Sequence, residues 1–179
     1  MKNCRFRKSE HAIFITYFYK LKDYPSAKKL AKLAGISRST LYYHHKNVRC
    51  IPADYENYLL HSYYQAIKNL THKEVINIKN IYFRTLIFIS SNKEVIKVLF
   101  KDGRKEVVKK MLDYLKPRIV SEWQIEGDID KMYDIYKNEV LGCIELWGKH
   151  GFSKATFQTT LEDILYLTST ASQKLSPIK

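Results

Sequence analysis

The amino-acid sequence predicts an all-α protein. Only six of its 179 residues are glycine and four are proline, so few positions interrupt a helix. Apolar residues recur at the three- and four-residue spacing of helix faces, and no alternating run bounded by turn residues indicates a half-buried strand. A hydrophobic content of 45% is enough for a core in one or two small domains.

The first predicted helix lies between Ser9 and Leu21. Ser9 can cap its N-terminus, and its inner face would be formed by Phe14, Tyr17, Phe18 and Leu21. The apolar part of this segment contains Tyr and Thr and lacks a small-residue cleavage signal, so we do not expect a secretory signal. No stretch of the sequence approaches the ~20 apolar residues of a membrane span. A soluble, cytoplasmic protein is therefore expected.

Two short helices around a glycine are predicted between Ser26 and Lys46. The first has one narrow apolar stripe at helical spacing, made of Ala27, Leu30, Ala31 and Ala34. Gly35 can adopt a positive φ just after this helix, and Ser37 is a good N-cap for a second helix that starts near Arg38. With the helix before them, these elements predict a three-helix head that contains a helix-turn-helix.

The second helix of the pair leaves most of its side chains outside the core. Leu41 and His45 share one face at i, i+4, so six other residues point partly or wholly outward: Arg38, Ser39, Thr40, Tyr42, Tyr43 and His44. Arginine can chelate a guanine edge, and Ser and Thr hydroxyls can bind base edges or phosphates. The pattern favours a helix that reads DNA. The alternative is a surface helix that happens to be aromatic.

Positive charge is concentrated in the same part of the chain. Residues 1–50 contain twelve of the 31 Lys and Arg residues and two of the 18 acidic residues, so they carry +10 of the formal net charge of +13. A basic end of this kind neutralises phosphates and releases counterions, which supplies affinity independent of base sequence. A solvated charged face would also explain the charge, but charge and motif coincide in one segment.

Nine residues between Ala31 and His44 fit a known pattern, A-x-x-A-G-[VI]-S-x-x-T-L-Y-x-H-F-x-x-K. They are Ala31, Ala34, Gly35, Ile36, Ser37, Thr40, Leu41, Tyr42 and His44. By these residues the chain resembles the tetracycline-repressor (TetR) family of transcriptional regulators. The resemblance covers about the first quarter of the chain. It implies an all-helical homodimer with a divergent C-terminal regulatory domain.

The resemblance also implies roles for single residues. The positions close to the bases would be Lys28, Arg38, Ser39, Thr40 and Tyr42. The positions that hold the DNA backbone would be Tyr43, His44 and Lys46, and Ser37 completes the predicted DNA-binding set. The chain departs from the pattern at three places: His45 replaces a core phenylalanine, Val48 with Arg49 replaces a lysine, and no glycine marks the turn over residues 20–25.

The remainder of the chain predicts a helical body after a hinge at Ile51-Pro52. Proline disfavours helix before it and is accepted early in a helix, so the expected domains are residues 1–51 and 52–179. The predicted helices of the body are 53–70, 73–90, 93–100, 103–123 with a kink at Pro117, 129–150 and 153–170. The tail after Ser172 is expected to fray.

The body suggests two further sites. Aromatic residues could line a small-molecule pocket or form plain core, and they are Tyr82, Phe83, Phe88, Trp123, Tyr133 and Tyr136. Apolar stripes on the last two helices fit a four-helix dimer interface or an ordinary intramolecular hairpin, and they include Ile144, Trp147, Phe157, Leu161, Ile164 and Leu165. In the architecture that the resemblance implies, a bound effector would move the connecting helix and change the distance between two DNA-reading heads.

Residues for catalysis or metal binding are not evident. Cys4, Cys50 and Cys143 are isolated, which favours a reduced chain over a disulfide framework or a zinc site. No nucleophile–base pair, phosphate-binding glycine loop or pair of carboxylates stands at a readable spacing. We therefore expect no enzyme, no cofactor and no metal. The expected function is a ligand-relieved repressor that binds a palindromic operator in double-stranded DNA, and the alternative is a co-regulator that binds a partner protein or metabolite.

Overall fold

Helices account for the secondary structure of the described chain. The computed structural model describes residues 13, 16, 25–71, 77–101, 103–121, 123 and 127–173. No strand occurs among these residues, which confirms the all-α class. In chain order the elements are α1 (Ala27–Ala34), α2 (Arg38–His44), a 3-10 turn (Val48–Cys50), α3 (Ile51–Thr71), α4 (Ile78–Ser91), α5 (Lys93–Lys101), α6 (Glu106–Val120), α7 (Ile129–Lys149) and α8 (Phe157–Gln173).

The chain divides into two compact units, residues 1–61 and 62–179. The boundary falls inside α3, which begins at Ile51 and passes through the predicted hinge without interruption. Pro52 is compatible with this because it lies in the first helical turn, where a backbone N–H has no intrahelical acceptor. The predicted boundary between residues 51 and 52 is thus the start of a helix and not a loop.

Unit one, residues 1–61, has a small apolar core. Helices α1 and α2 pack against each other. The buried side chains of this unit include Ile13, Leu30, Ala31, Leu41, Ile51, Tyr55 and Leu59. Ile13 and Thr16 are helical and buried, whereas the other residues of the first predicted helix lie outside the described residues.

Unit two, residues 62–179, is a larger packing of helices. Helix α7 packs against α6 and α8, and α4 packs against α8. Its core is rich in large aromatic side chains, and the fully buried ones are Tyr63, Tyr82, Tyr133, Trp147 and Phe152.

Three helices of unit two begin later than the sequence predicts. Helix α4 begins at Ile78, after an extended Asn77, and not near residue 73. Helix α6 begins at Glu106 because Gly103, with φ 71°, forms a turn, and it continues one turn past Pro117. Helix α8 begins at Phe157 and not at Ser153. The chain turns before it, through Gly151 with φ 73° and Phe152 with φ 54°.

A chain of buried hydroxyls joins three helices of unit two. Thr168 Oγ1 donates to the Ile164 carbonyl at 2.8 Å, so it can only accept from the Tyr136 hydroxyl at 2.7 Å. The Tyr136 oxygen then accepts from the Tyr82 hydroxyl. Each hydroxyl has one proton, so the direction of the chain is fixed: Tyr82 to Tyr136 to Thr168.

Burial keeps these tyrosines protonated to high pH. It raises the pKa of Tyr136 to about 12 and that of Tyr82 well above its usual value. An unfolded tyrosine ionises near pH 10. Above that pH the folded chain therefore binds more protons than the unfolded chain, so the free energy of unfolding must fall as pH rises from about 10 to 12.

We predict that Tyr136→Phe lowers the free energy of unfolding by about 1–3 kcal/mol at pH 7, because the buried Tyr82 hydroxyl loses its acceptor. The variant should also show a shallower loss of stability above pH 10 than the natural chain. Urea unfolding at a series of pH values measures both effects. The matched control is Tyr166→Phe, whose side chain is 69% exposed and whose change should stay within about 0.5 kcal/mol. Equal alkaline slopes in the two variants would contradict the prediction.

Candidate nucleic-acid interface

The turn after α1 has the geometry that the sequence predicts. Gly35 is left-handed, with φ 70° and ψ 30°. Its N–H bonds to the Lys32 carbonyl at 3.3 Å, and the N–H of Ile36 bonds to the Ala31 carbonyl at 3.0 Å. These two bonds are a Schellman motif, which ends a helix where the chain must turn sharply.

The start of α2 is fixed by the side chain of Ser37. Its Oγ accepts from the Thr40 backbone N–H at 3.0 Å, which confirms the predicted N-cap and the start of the helix at Arg38. The same Oγ lies 2.7 Å from Ser39 Oγ and 2.8 Å from Thr40 Oγ1. The three hydroxyls therefore orient one another at the first turn of the helix.

The other predicted DNA-binding residues lie on the surface of unit one. Tyr43 is 81% exposed and Tyr42 is 49% exposed. Thr40 and His44 are half-buried, and the His44 ring meets the Tyr43 ring edge-on with 5.0 Å between their centroids. The remaining members of the set are exposed: Lys28, Ser37, Arg38, Ser39 and Lys46.

The segment that contains α1 and α2 is strongly basic. Residues 25–50 contain six Lys or Arg residues and no acidic residue. All six are exposed: Lys28, Lys29, Lys32, Arg38, Lys46 and Arg49. Within the described part of the chain, no carboxylate forms an ion pair with Lys28, Arg38 or Lys46. Their charges remain available to phosphates.

His45 makes a buried contact at the end of α2 that the sequence does not predict. The residue follows α2 and is 3% exposed, and its Nδ1 lies 2.8 Å from Asp54 Oδ2. The contact ties the end of α2 to the first turns of α3. Its Nε2 is buried and has no hydrogen-bond partner among the described residues. The helical spacing predicts only that position 45 lies on the same face as Leu41, and it does not predict the contact with Asp54.

The six aromatic residues of the predicted pocket do not lie together. Four of them, Tyr82, Trp123, Tyr133 and Tyr136, belong to one packed cluster, in which the Trp123 ring lies 5.3 Å from Tyr136 and 6.2 Å from Tyr133. Phe83 is 40% exposed and its ring packs on Phe157. Phe88 packs on Tyr63. The four clustered residues therefore pack against one another as part of the hydrophobic core.

The residues of the predicted dimer interface are largely internal. Four of them, Ile144, Trp147, Leu161 and Ile164, are buried within a single chain, where α7 and α8 pack together. They form the core of an intramolecular hairpin and offer no surface to a second copy. Phe157 and Leu165 are half-buried.

Comparison with known proteins does not assign a function to the surface of α2. No protein-family model, curated protein or solved structure matches the chain. In the described ranges, no cluster of His, Cys, Asp and Glu side chains is able to hold a metal ion. No described helix combines the length and the apolar character needed to cross a bilayer. What unit one binds must therefore be inferred from its geometry and charge.

We predict that Ser37→Ala lowers the free energy of unfolding of the chain by about 1 kcal/mol, because α2 loses its N-cap. Ser39→Ala is the matched control, since the Ser39 hydroxyl is exposed and caps no backbone N–H in the described structure. It should cost less than about 0.5 kcal/mol. Urea unfolding followed by circular dichroism measures both. Similar losses in the two variants would mean that the cap does not hold α2.

Proposed function

We propose that this protein is a sequence-specific, DNA-binding regulator of transcription, acting as a homodimeric repressor that a small molecule releases. The observation that carries the proposal is the surface of α2, where Arg38, Tyr42 and Tyr43 are exposed directly after a capped turn in a stretch without acidic residues. Such a protein acts where the chromosome is, so the proposal includes a cytoplasmic location.

The dimensions of α2 support a place in the major groove. An α-helix with its side chains is about 10–12 Å in diameter, and the major groove is about 12 Å wide, so α2 can enter it. Arg38 and Tyr42 share one face of the helix at i, i+4. The N-terminal residues of a recognition helix contact base edges, so Arg38 reads a guanine, and Tyr43 and Lys46 hold the backbone beside it.

Two copies are needed to make such a short helix specific. One copy presents one recognition helix, whereas a dimer reads two half-sites of a palindrome about 34–36 Å apart, or a larger multiple of one helical turn. A ligand that favours a different spacing of the two heads lowers affinity for the operator by linkage. This coupling is the proposed route of release.

The first prediction from this proposal concerns base reading. Full-length protein incubated with fragmented DNA of its source organism at ~150 mM salt, where non-specific binding is weak, should enrich a palindrome. Arg38→Ala should lose about 1–3 kcal/mol of discrimination and keep its salt-sensitive non-specific binding. The control is Arg84→Ala, since Arg84 is an exposed arginine on α4 in unit two. No enrichment by a folded dimer would overturn the proposal and favour a role in binding a partner protein.

The second prediction concerns phosphate contacts. Lys46→Gln should weaken binding to specific and non-specific DNA alike and reduce the slope of log K against log salt by about 1. Fluorescence anisotropy over a range of salt concentrations measures the slope. The matched control is Lys110→Gln, an exposed lysine of unit two, which should leave the slope unchanged. A loss confined to the specific site would contradict a backbone role for Lys46.

A further inference from the structure

Unit two contains an open cleft that neither the predicted pocket nor the proposed DNA surface includes. Its volume is about 440 Å³, which lies within the range of small-molecule sites. It is formed by the end of α5, the turn that follows and the end of α7. Its lining consists of Lys97, Phe100, Lys101, Lys105, Glu145, Gly148, Lys149 and Phe152.

The wall of the cleft has an excess of positive charge. Four lysines line it with a single carboxylate, Glu145. That carboxylate is engaged by Lys105 at 2.8 Å, and Lys97 pairs with Glu94 at 3.6 Å. In the described structure no carboxylate pairs with Lys101 or Lys149. An anion in the cleft could therefore pair with the ammonium groups of Lys101 and Lys149.

The floor of the cleft is apolar and aromatic. Phe152 is 2% exposed, and its ring centroid lies 6.3 Å from that of Phe100. A Cβ on Gly148 would stand 3.0 Å from Phe152 Cζ, so the absence of a side chain there lets the ring approach. Phe152 also has φ 54°, a conformation that bulky residues rarely adopt and that is enriched at ligand clamps.

We propose that this cleft binds a small amphipathic anion, in which a carboxylate or phosphate head is joined to an apolar chain or ring. The head pairs with Lys101 and Lys149, and the apolar part lies on Phe100, which is half-buried and packs beside the buried Phe152. A purely apolar ligand would leave Lys101 and Lys149 without a described carboxylate partner, and an inorganic anion would leave the exposed part of Phe100 uncovered. Binding of this ligand does not require that unit one binds DNA.

The cleft has a built-in reporter for a test. The Trp147 ring packs edge-on against the ring of Phe152, a lining residue, with 5.1 Å between the ring centroids. The chain has two tryptophans, and the indole N–H of the other, Trp123, has no hydrogen-bond partner among the described residues. The full-length Trp123→Phe variant therefore isolates the emission of Trp147 without breaking a described hydrogen bond.

The experiment compares octanoate, octyl phosphate and octanol, each below its micelle-forming concentration. Calorimetry measures affinity, and Trp147 emission reports occupancy of the cleft. We expect saturable binding of at least one of the two anions, with a change in emission, and binding of octanol that is at least about tenfold weaker. Comparing octanoate with octyl phosphate identifies the preferred head group. Anion binding that is no tighter than octanol binding, or no saturable binding at all, would overturn the proposal.

Charge reversal locates the site. The double variant Lys101→Glu, Lys149→Glu should weaken anion binding by at least about tenfold, whereas Lys110→Glu on α6, outside the cleft, should change it less than about threefold. Far-UV circular dichroism checks folding, and Lys101→Gln with Lys149→Gln replaces the double variant if it unfolds. Equal losses of affinity in the cleft variant and in Lys110→Glu would overturn the proposal. Binding is also measured with vesicles of anionic phospholipid, and binding to vesicles without binding to either soluble anion would overturn the proposal as well.

Discussion

The packing of unit two depends on satisfying the hydroxyl groups of the tyrosines that it buries. Tyr63, Tyr82, Tyr133 and Tyr136 are each at most 3% exposed. Each hydroxyl has an acceptor or donor in the core, and Tyr133 donates to the Leu112 carbonyl at 2.6 Å. A buried hydroxyl without a partner costs about 1–3 kcal/mol, so these bonds restrict how α4, α6, α7 and α8 can shift. The three tyrosine hydroxyls of the aromatic cluster are therefore used within the chain, whereas the buried Trp123 indole N–H has no hydrogen-bond partner among the described residues.

Unit one meets the same constraint only in part. His45 satisfies Nδ1 through Asp54 but leaves Nε2 buried without a described partner. The Asp54 side chain is 42% exposed, so water screens this pair and limits the stability that it supplies. An apolar side chain at position 45 would bury no unmet polar atom. What His45 adds is a directional hydrogen bond to Asp54, which joins the end of α2 to α3. This bond limits the movement of the short helix that carries Arg38.

The features of the fold that could be predicted from the sequence are those that depend on residues close together in the chain. The all-α class follows from the helical spacing within each segment, and the left-handed Gly35 and the Ser37 cap depend on neighbouring residues. All three predictions are confirmed. The division of unit two into core and cleft depends on distant residues. Lys97, Lys101 and Lys105 follow one another at four-residue spacing in the sequence, but nothing there shows that Lys149 lines the same cleft. The starts of α4, α6 and α8 were predicted too early. Asn77 is extended, Gly103 forms a turn, and residues 153–156 form a bend and a turn in which Ser153 bonds to Ala155 and Thr156.

The exposed aromatic residues of α2 support the proposed binding of DNA by unit one. Folding gains little from Tyr43 at 81% exposure or Tyr42 at 49% exposure, and a single exposed aromatic residue elsewhere, such as Tyr166, needs no explanation. Here two rings lie on one seven-residue helix with an arginine, in a stretch of sequence, residues 25–50, that has no acidic residue. A protein partner would have to supply acidic and aromatic groups together at this spacing. Nucleic acid supplies phosphate charge, base edges and methyl groups in every repeat, so it matches the surface with the fewest additional assumptions.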